Sequence, residues 1–406
     1  MNDNQVVHPD QSSPRKRVKH TFQDLLQIAG QAAKIRPPLY VSTVLGRPWT
    51  WIPPHHRFSE FGILDLWRMR RTIKFLLNVS IPSFPRTPPN FGPPFLNDLF
   101  WEPTVILQRP DHNGSYTTFP DEAWFFINGI MTNDSLAQLN AAYISYLFHR
   151  PLTIIQNSTN SFIVDMAQCA IGKEWELTTE PASKAFIPIY DALKSEKKKV
   201  VVIVHSQGTI IMAKVLELLN RITLPKKEEA PIPAAGALPP KMGFGLLVPE
   251  EREHFAGPEF IYPDQAGLKL GDFTPLQEAE LAKLEVYCFA NCANEMKYFK
   301  PPQTGQAPAP WIENYGNEFD IVARLGMLAP NPDQLGIDID GPCYEHFGTW
   351  GHLLNEHYLL GIEEYQKAGQ KKGGAGGSAP FKLVNAQDYP ECGTPRLFSY
   401  INGGIF

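Results

Sequence analysis

Val200-Val-Val-Ile-Val-His-Ser-Gln-Gly-Thr209 is the stretch on which the fold turns. Its first five residues are all β-branched and leave no polar face, as expected of a central strand buried on both sides in a parallel sheet. From Thr209 the apolar residues Ile211, Val215, Leu218, Leu219 and Ile222 recur at helical spacing, so strand gives way to helix across about four residues. Ser206 sits at that sharp bend. A serine hydroxyl is a weak nucleophile unless it is presented rigidly, beside a base and near donors for a developing oxyanion. The elbow pattern that does this is glycine-x-serine-x-glycine, with glycines where side chains would collide with neighbouring elements. Here it reads Val204-His205-Ser206-Gln207-Gly208, with the second glycine kept and valine in place of the first. The letters alone also fit a polar loop serine, and the strand–turn–helix context favours the nucleophile. His205, next to it in the chain, is expected to point away.

Outward from the elbow, strands and helices alternate, the pattern of a parallel sheet with right-handed crossovers. Ala123–Ile130 reads as a buried strand ending in Asn128-Gly129, and Asn133 or Asp134 caps a helix to about His149. Leu152–Gln156 is a strand and Phe186–Ser195 a helix. Glu285–Ala290, a short strand near Trp311–Tyr315, and Tyr344–Phe347 continue the sheet, with a closing helix over Trp350–Gln366. The fold class is therefore α/β, a mostly parallel central sheet flanked by helices. Residues 225–284 are rich in Pro, Gly and charge and too long for an ordinary connection, so they are read as a cap or lid. Residues 367–380 carry the Lys-Lys-Gly-Gly-Ala-Gly-Gly-Ser run of a flexible linker.

An acid, a base and two oxyanion donors complete the chemistry. The acid is expected after Ser206 and before the histidine. Asp320, just past a strand, sits at the carboxyl edge where sites collect; Glu318, Asp338 and Asp340 compete. Asp338 and Asp340 lie in a polar loop read as a turn, since two aspartates without a distal acidic anchor make a poor calcium site. Of His346, His352 and His357, His352 at the head of the closing helix is favoured as base, with His357 as the alternate. The oxyanion donors are expected to be the backbone N–H of Gln207 and that of Ile130 or Met131, after Gly129.

Composition bounds the rest. The chain has 406 residues, 43% hydrophobic and 12% aromatic, which is enough for a large core. A net charge of −5 gives no general attraction to nucleic acid, and a neutral substrate is allowed. The five cysteines are spread out, without zinc-ligand spacing, and read as reduced core thiols. No metal or organic cofactor is expected. Residues 1–36 form a polar tail, whose Arg15–Lys19 basic run reads as solvated or as a nuclear address. Residues 37–115 form a Pro- and aromatic-rich extension with Trp49, Trp51, Pro88 and Pro89, and residues 116–406 form the main domain. The extension's expected helix, Phe61–Val79, carries Trp67, Arg68, Arg70, Arg71 and Lys74. Such a helix suits packing on its own domain, or peripheral membrane or dimer contact. The polar start and the lack of any apolar run of about 18 residues point to an intracellular protein without a membrane span.

From Ala123 to about Ile362 the chain resembles α/β-hydrolases of the fungal-type (class 3) triacylglycerol lipase group and its intracellular serine-esterase relatives. His205-Ser-Gln-Gly-Thr209 is similar to their elbow, Tyr287–Asn294 to the strand that follows it, and Phe319–Gly326 to the segment holding their acid. Tyr344-Glu-His-Phe-Gly348 is similar to their last strand, and Gly351-His-Leu-Leu-Asn-Glu-His-Tyr358 to the motif bearing their histidine. The resemblance implies the α/β-hydrolase fold, His352 as base, and hydrolysis of a small-molecule ester or lipid under a lid; a thioester, lactone or amide cleaved by the same triad, and a non-catalytic binding or assembly module on the same fold, are the alternative readings. The chain departs from that group at Val204 and at Asn128-Gly129, where the group has His-Gly.

Overall fold

The computed structural model describes residues 56–63, 105–109, 119–129, 134–156, 180–223, 270–299, 309–330, 332–371 and 380–406. Among the described residues the sheet has eight strands: β1 (Val105–Arg109), β2 (Glu122–Ile127), β3 (Leu152–Gln156), β4 (Lys199–His205), β5 (Leu284–Phe289), β6 (Trp311–Asn317), β7 (Cys343–His346) and β8 (Lys382–Leu383). In space they run β1-β3-β2-β4-β5-β6-β7-β8, with the six inner strands parallel and the two edge strands antiparallel to their neighbours. Among the described residues four longer helices flank the sheet: α1 (Asp134–Phe148), α2 (Glu180–Lys194), α3 (Gln207–Thr223) and α4 (Leu360–Lys371). A turn of π-helix, Leu354–Leu359, leads into α4.

The pleat sorts the core into two layers. Trp124, Phe126, Val201, Ile203, Tyr287 and Phe289 face α1 and the Leu354–Ile362 segment, while Phe125, Ile127, Val200, Val202, Val204 and Val286 face α2 and α3. β4, between β2 and β5, is covered on both faces. Val200 to Val204 each have 0% exposure, and burying such side chains contributes about 1.5–3 kcal/mol apiece. That packing makes β4 a rigid support for whatever follows it.

The expected elements are present with shifted ends. α2 starts six residues before Phe186 and tolerates Pro188 in its interior, although proline removes an intrahelical hydrogen bond. The closing helix starts later than Trp350 and continues to Lys371, so residues 367–371 of the expected linker are helical. There Lys367 pairs with Glu363 one turn back, at 2.7 Å. β7 is not the last strand, because β8 adds beyond it. β1, inside the expected extension, closes the other edge through pairing with β3. The expected cap ends in part of the body: Phe273 packs edge-on against Phe186 and Tyr190, and Leu276 and Leu281 are buried. Residues 225–269 of that cap and nearly all of the Phe61–Val79 helix lie outside the described residues. Asp338 and Asp340 do not form a free turn. Asp338–Ile339 pairs in parallel with Glu295–Met296, and Lys297 forms ion pairs with both aspartates. Cys288, Cys292 and Cys343 are buried, and Cys392 is partly exposed. No described helix is long and apolar enough to cross a membrane.

Candidate active site

Ser206 occupies the turn between β4 and α3 with φ +56°, a left-handed conformation that costs a residue with a Cβ about 1–2 kcal/mol. The surroundings hold it there. Its N–H donates to the Phe289 carbonyl at the end of β5 (2.9 Å), and its carbonyl accepts from the N–H and hydroxyl of Thr209 (2.9 and 2.7 Å). Two glycines allow the crowding. A Cβ on Gly208 would lie 2.5 Å from the Ile127 carbonyl oxygen, and one on Gly129 would lie 2.6 Å from Cβ of Ser206. The valine at 204 is accommodated inside the α2–α3 layer.

Asp320 follows β6 and caps the one-turn helix Ile321–Arg324, accepting from the N–H of Val322 on Oδ1 (2.9 Å). His352 follows Gly351, whose φ of +102° and contact with the His357 ring exclude a side chain there. Nδ1 of His352 lies 2.8 Å from Oδ2 of Asp320, and Nε2 lies 2.9 Å from Oγ of Ser206. A carboxylate only accepts, so Nδ1 carries the proton and Nε2 is free to accept from the serine hydroxyl. Ser206, Asp320 and His352 are all buried. Three residues separated by up to 146 positions thus form one continuous hydrogen-bonded chain.

The other histidines are placed elsewhere. His357 accepts from the Leu353 N–H on Nδ1 (2.9 Å), and burial pushes its pKa down to about 3. It stays neutral and turned toward its own loop. His346 contacts Phe381 and Gly361. The ring of His205 packs 4.7 Å from that of His352, and its Nε2 donates to the His352 carbonyl (2.9 Å). Burial holds His205 well below the ordinary imidazole range. A neutral ring there adds no positive charge beside His352.

Gln207 opens the 17-residue α3, and first-turn N–H groups are those a helix cannot itself satisfy, which makes them anion donors. Ile130 and Met131, the other expected donors, lie outside the described residues. Asn128 before them is buried, and its side-chain amide donates to the Gly129 carbonyl (2.9 Å). Glu318, a competing acid, instead accepts from the Gly348 N–H (2.7 Å). Among the described residues no group of three or more His, Cys, Asp or Glu could hold a metal ion.

Three supports escaped sequence reading. Tyr358 donates its hydroxyl to Oδ2 of Asp320 (2.6 Å). The side-chain amide of Asn317 donates to the carbonyls of Gly351 (3.0 Å) and His357 (3.2 Å). Glu60 accepts from the N–H groups of Asn355 (2.7 Å) and Glu356 (2.9 Å), while Asn355 donates to the Phe58 carbonyl (2.7 Å). A short N-terminal segment thereby caps the turn that follows His352. Burial raises the Glu60 pKa to about 7. Tyr358 closes the Gly351–Tyr358 motif and so was open to notice; Glu60, 295 positions from Asn355, carries no local signal.

No protein-family model, curated protein or solved structure matches this chain.

Proposed function

We propose that the chain is a serine hydrolase of the α/β-hydrolase fold that cleaves an ester through an acyl-enzyme. The observation that carries this reading is the unbroken relay from Ser206 Oγ through His352 to Asp320, at 2.9 and 2.8 Å. In the proposed reaction His352 Nε2 takes the Ser206 proton as Oγ attacks the ester carbonyl. The carbonyl oxygen becomes an oxyanion, for which the Gln207 N–H at the positive end of α3 is the proposed donor. His352 then returns the proton to the departing alkoxide, leaving an acyl group on Ser206. A water deprotonated by His352 attacks that acyl group, and the acid leaves with Oγ restored. Asp320 fixes the ring and offsets the charge of the imidazolium without taking the proton. The left-handed φ of Ser206 supports the same reading, since local strain of this kind persists where the surroundings over-determine it and clusters at reactive sites.

The test is hydrolysis of aryl esters of increasing acyl length, with Ser206→Ala as control. Where a triad acts as a unit, the alanine variant is expected to lose about 10⁶-fold in turnover, whereas one lost oxyanion donor costs ~10²–10³-fold. A preference for long chains indicates a lipid substrate, and one for short chains a small-molecule esterase. Ser206→Ala with undiminished turnover removes the proposal.

A further inference from the structure

We propose that Tyr358 is a positioning residue of this site, acting through Asp320 to fix the carboxylate and to temper the basicity of His352; this rests on the hydrolase reading above. Asp320 has 0% exposure, so its oxygens depend on protein donors. Oδ1 has one, the Val322 N–H (2.9 Å); Oδ2 has two, His352 Nδ1 (2.8 Å) and the Tyr358 hydroxyl (2.6 Å). Donors on both oxygens hold the carboxylate plane and, through it, the imidazole. The Tyr358 hydroxyl oxygen in turn accepts from the Asn317 N–H at the end of β6 (3.2 Å). The phenol therefore bridges the strand end that carries the acid to the helical turn that follows the base.

A second consequence is electrostatic. The 2.6 Å hydroxyl draws on the charge of Oδ2, leaving less of it to stabilise an imidazolium at His352. Burial pushes the Tyr358 pKa far up, with the Asp320 charge adding to it, so the phenol remains a donor throughout any practical assay. Without that donor, Asp320 pulls harder on the His352 proton while both groups are held less firmly.

The signs give a test that packing alone does not mimic. Tyr358→Phe keeps the ring and removes only the donor. It is expected to lower kcat on an aryl ester by about 10- to 100-fold, the span for one hydrogen bond to a charged group, with KM little changed. The acid limb of the kcat/KM profile should move up by about half a unit to one unit as His352 becomes more basic. Installing 3-fluorotyrosine at 358, a stronger donor of nearly the same size, should move that limb down, and this arm stands if the phenylalanine variant does not fold. The same opposed shifts are expected in the His352 titration followed by NMR of the full chain with ¹⁵N-labelled histidine, a readout independent of turnover. Active wild type with an unmoved His352 titration in both variants overturns the role of Tyr358 and leaves the hydrolase reading intact. Opposed shifts in a chain that cleaves no ester overturn the hydrolase reading and keep the coupling.

Discussion

Gly208→Ala sets two effects of opposite sign against each other. Gly208 is the second residue of α3, and helix propensity alone favours alanine over glycine by up to about 1 kcal/mol. The added methyl, however, would sit 2.5 Å from the Ile127 carbonyl oxygen, 3.0 Å from that of Asn128 and 3.1 Å from the Ile127 carbonyl carbon. All three are backbone atoms at the end of β2, which pairs with β4 through Ile127 and Val204. None can swing aside, so α3 or the strand end must shift by several tenths of an ångström within a layer where Met212 and Val215 have 0% exposure. Such overpacking costs about 1–3 kcal/mol, which exceeds the propensity gain. Urea unfolding followed by tryptophan fluorescence should therefore show a lower midpoint. Gly271→Ala, where nothing lies within 4 Å of the new methyl, should be neutral or stabilise by about 0.4–1 kcal/mol. A Gly208→Ala midpoint at or above that of Gly271→Ala would refute the close approach of α3 to β2.

Other outcomes follow from the same geometry. Ser206→Gly and Ser206→Ala both remove the hydroxyl, but only glycine relieves the φ of +56°; in urea unfolding the glycine variant should be the more stable by about 1 kcal/mol. Glu60 has its folded pKa raised from 4.5 to about 7, so the native state binds the proton more tightly. The unfolding free energy should fall as pH rises from about 4.5 to about 7, by about 3 kcal/mol from this group, and unfolding across that window should show Glu60→Gln losing that part of the slope. Arg150, with 0% exposure, bonds both Glu122 oxygens and the carbonyls of Phe148 and Gly404. Arg150→Ala, measured by denaturant unfolding, should cost about 3–5 kcal/mol by leaving that carboxylate unpaired.

What could be read in advance follows from how local each signal is. β4, the elbow and α3 were legible because five β-branched residues and a helical apolar stripe meet at one bend. Asp320 was read from its place past a strand end and His352 from its place at the head of the closing helix, and the structure brings both side chains to Ser206. Edge strands were not legible: β8 has two residues and takes its identity from β7, while β1 falls within a Pro-rich stretch of sequence. α2 begins six residues before the expected Phe186, because the packing of Ala182 and Ala185 against the sheet extends it toward its N-terminus. The contacts of Glu60 and Asn317 join segments distant in the chain, and neither residue type announces a partner. The same holds for the His205 contact with the His352 carbonyl, which exists only once two loops meet.

The most direct measurement is covalent labelling of the purified full chain by a fluorophosphonate, read by intact mass and peptide mapping. A hydroxyl activated by the His352–Asp320 pair should take up one phosphonyl group, mapped to Ser206, with labelling absent in Ser206→Ala and strongly slowed in His352→Ala. An unlabelled wild-type chain, or an adduct mapping to another residue and persisting in Ser206→Ala, would contradict the nucleophile assigned here.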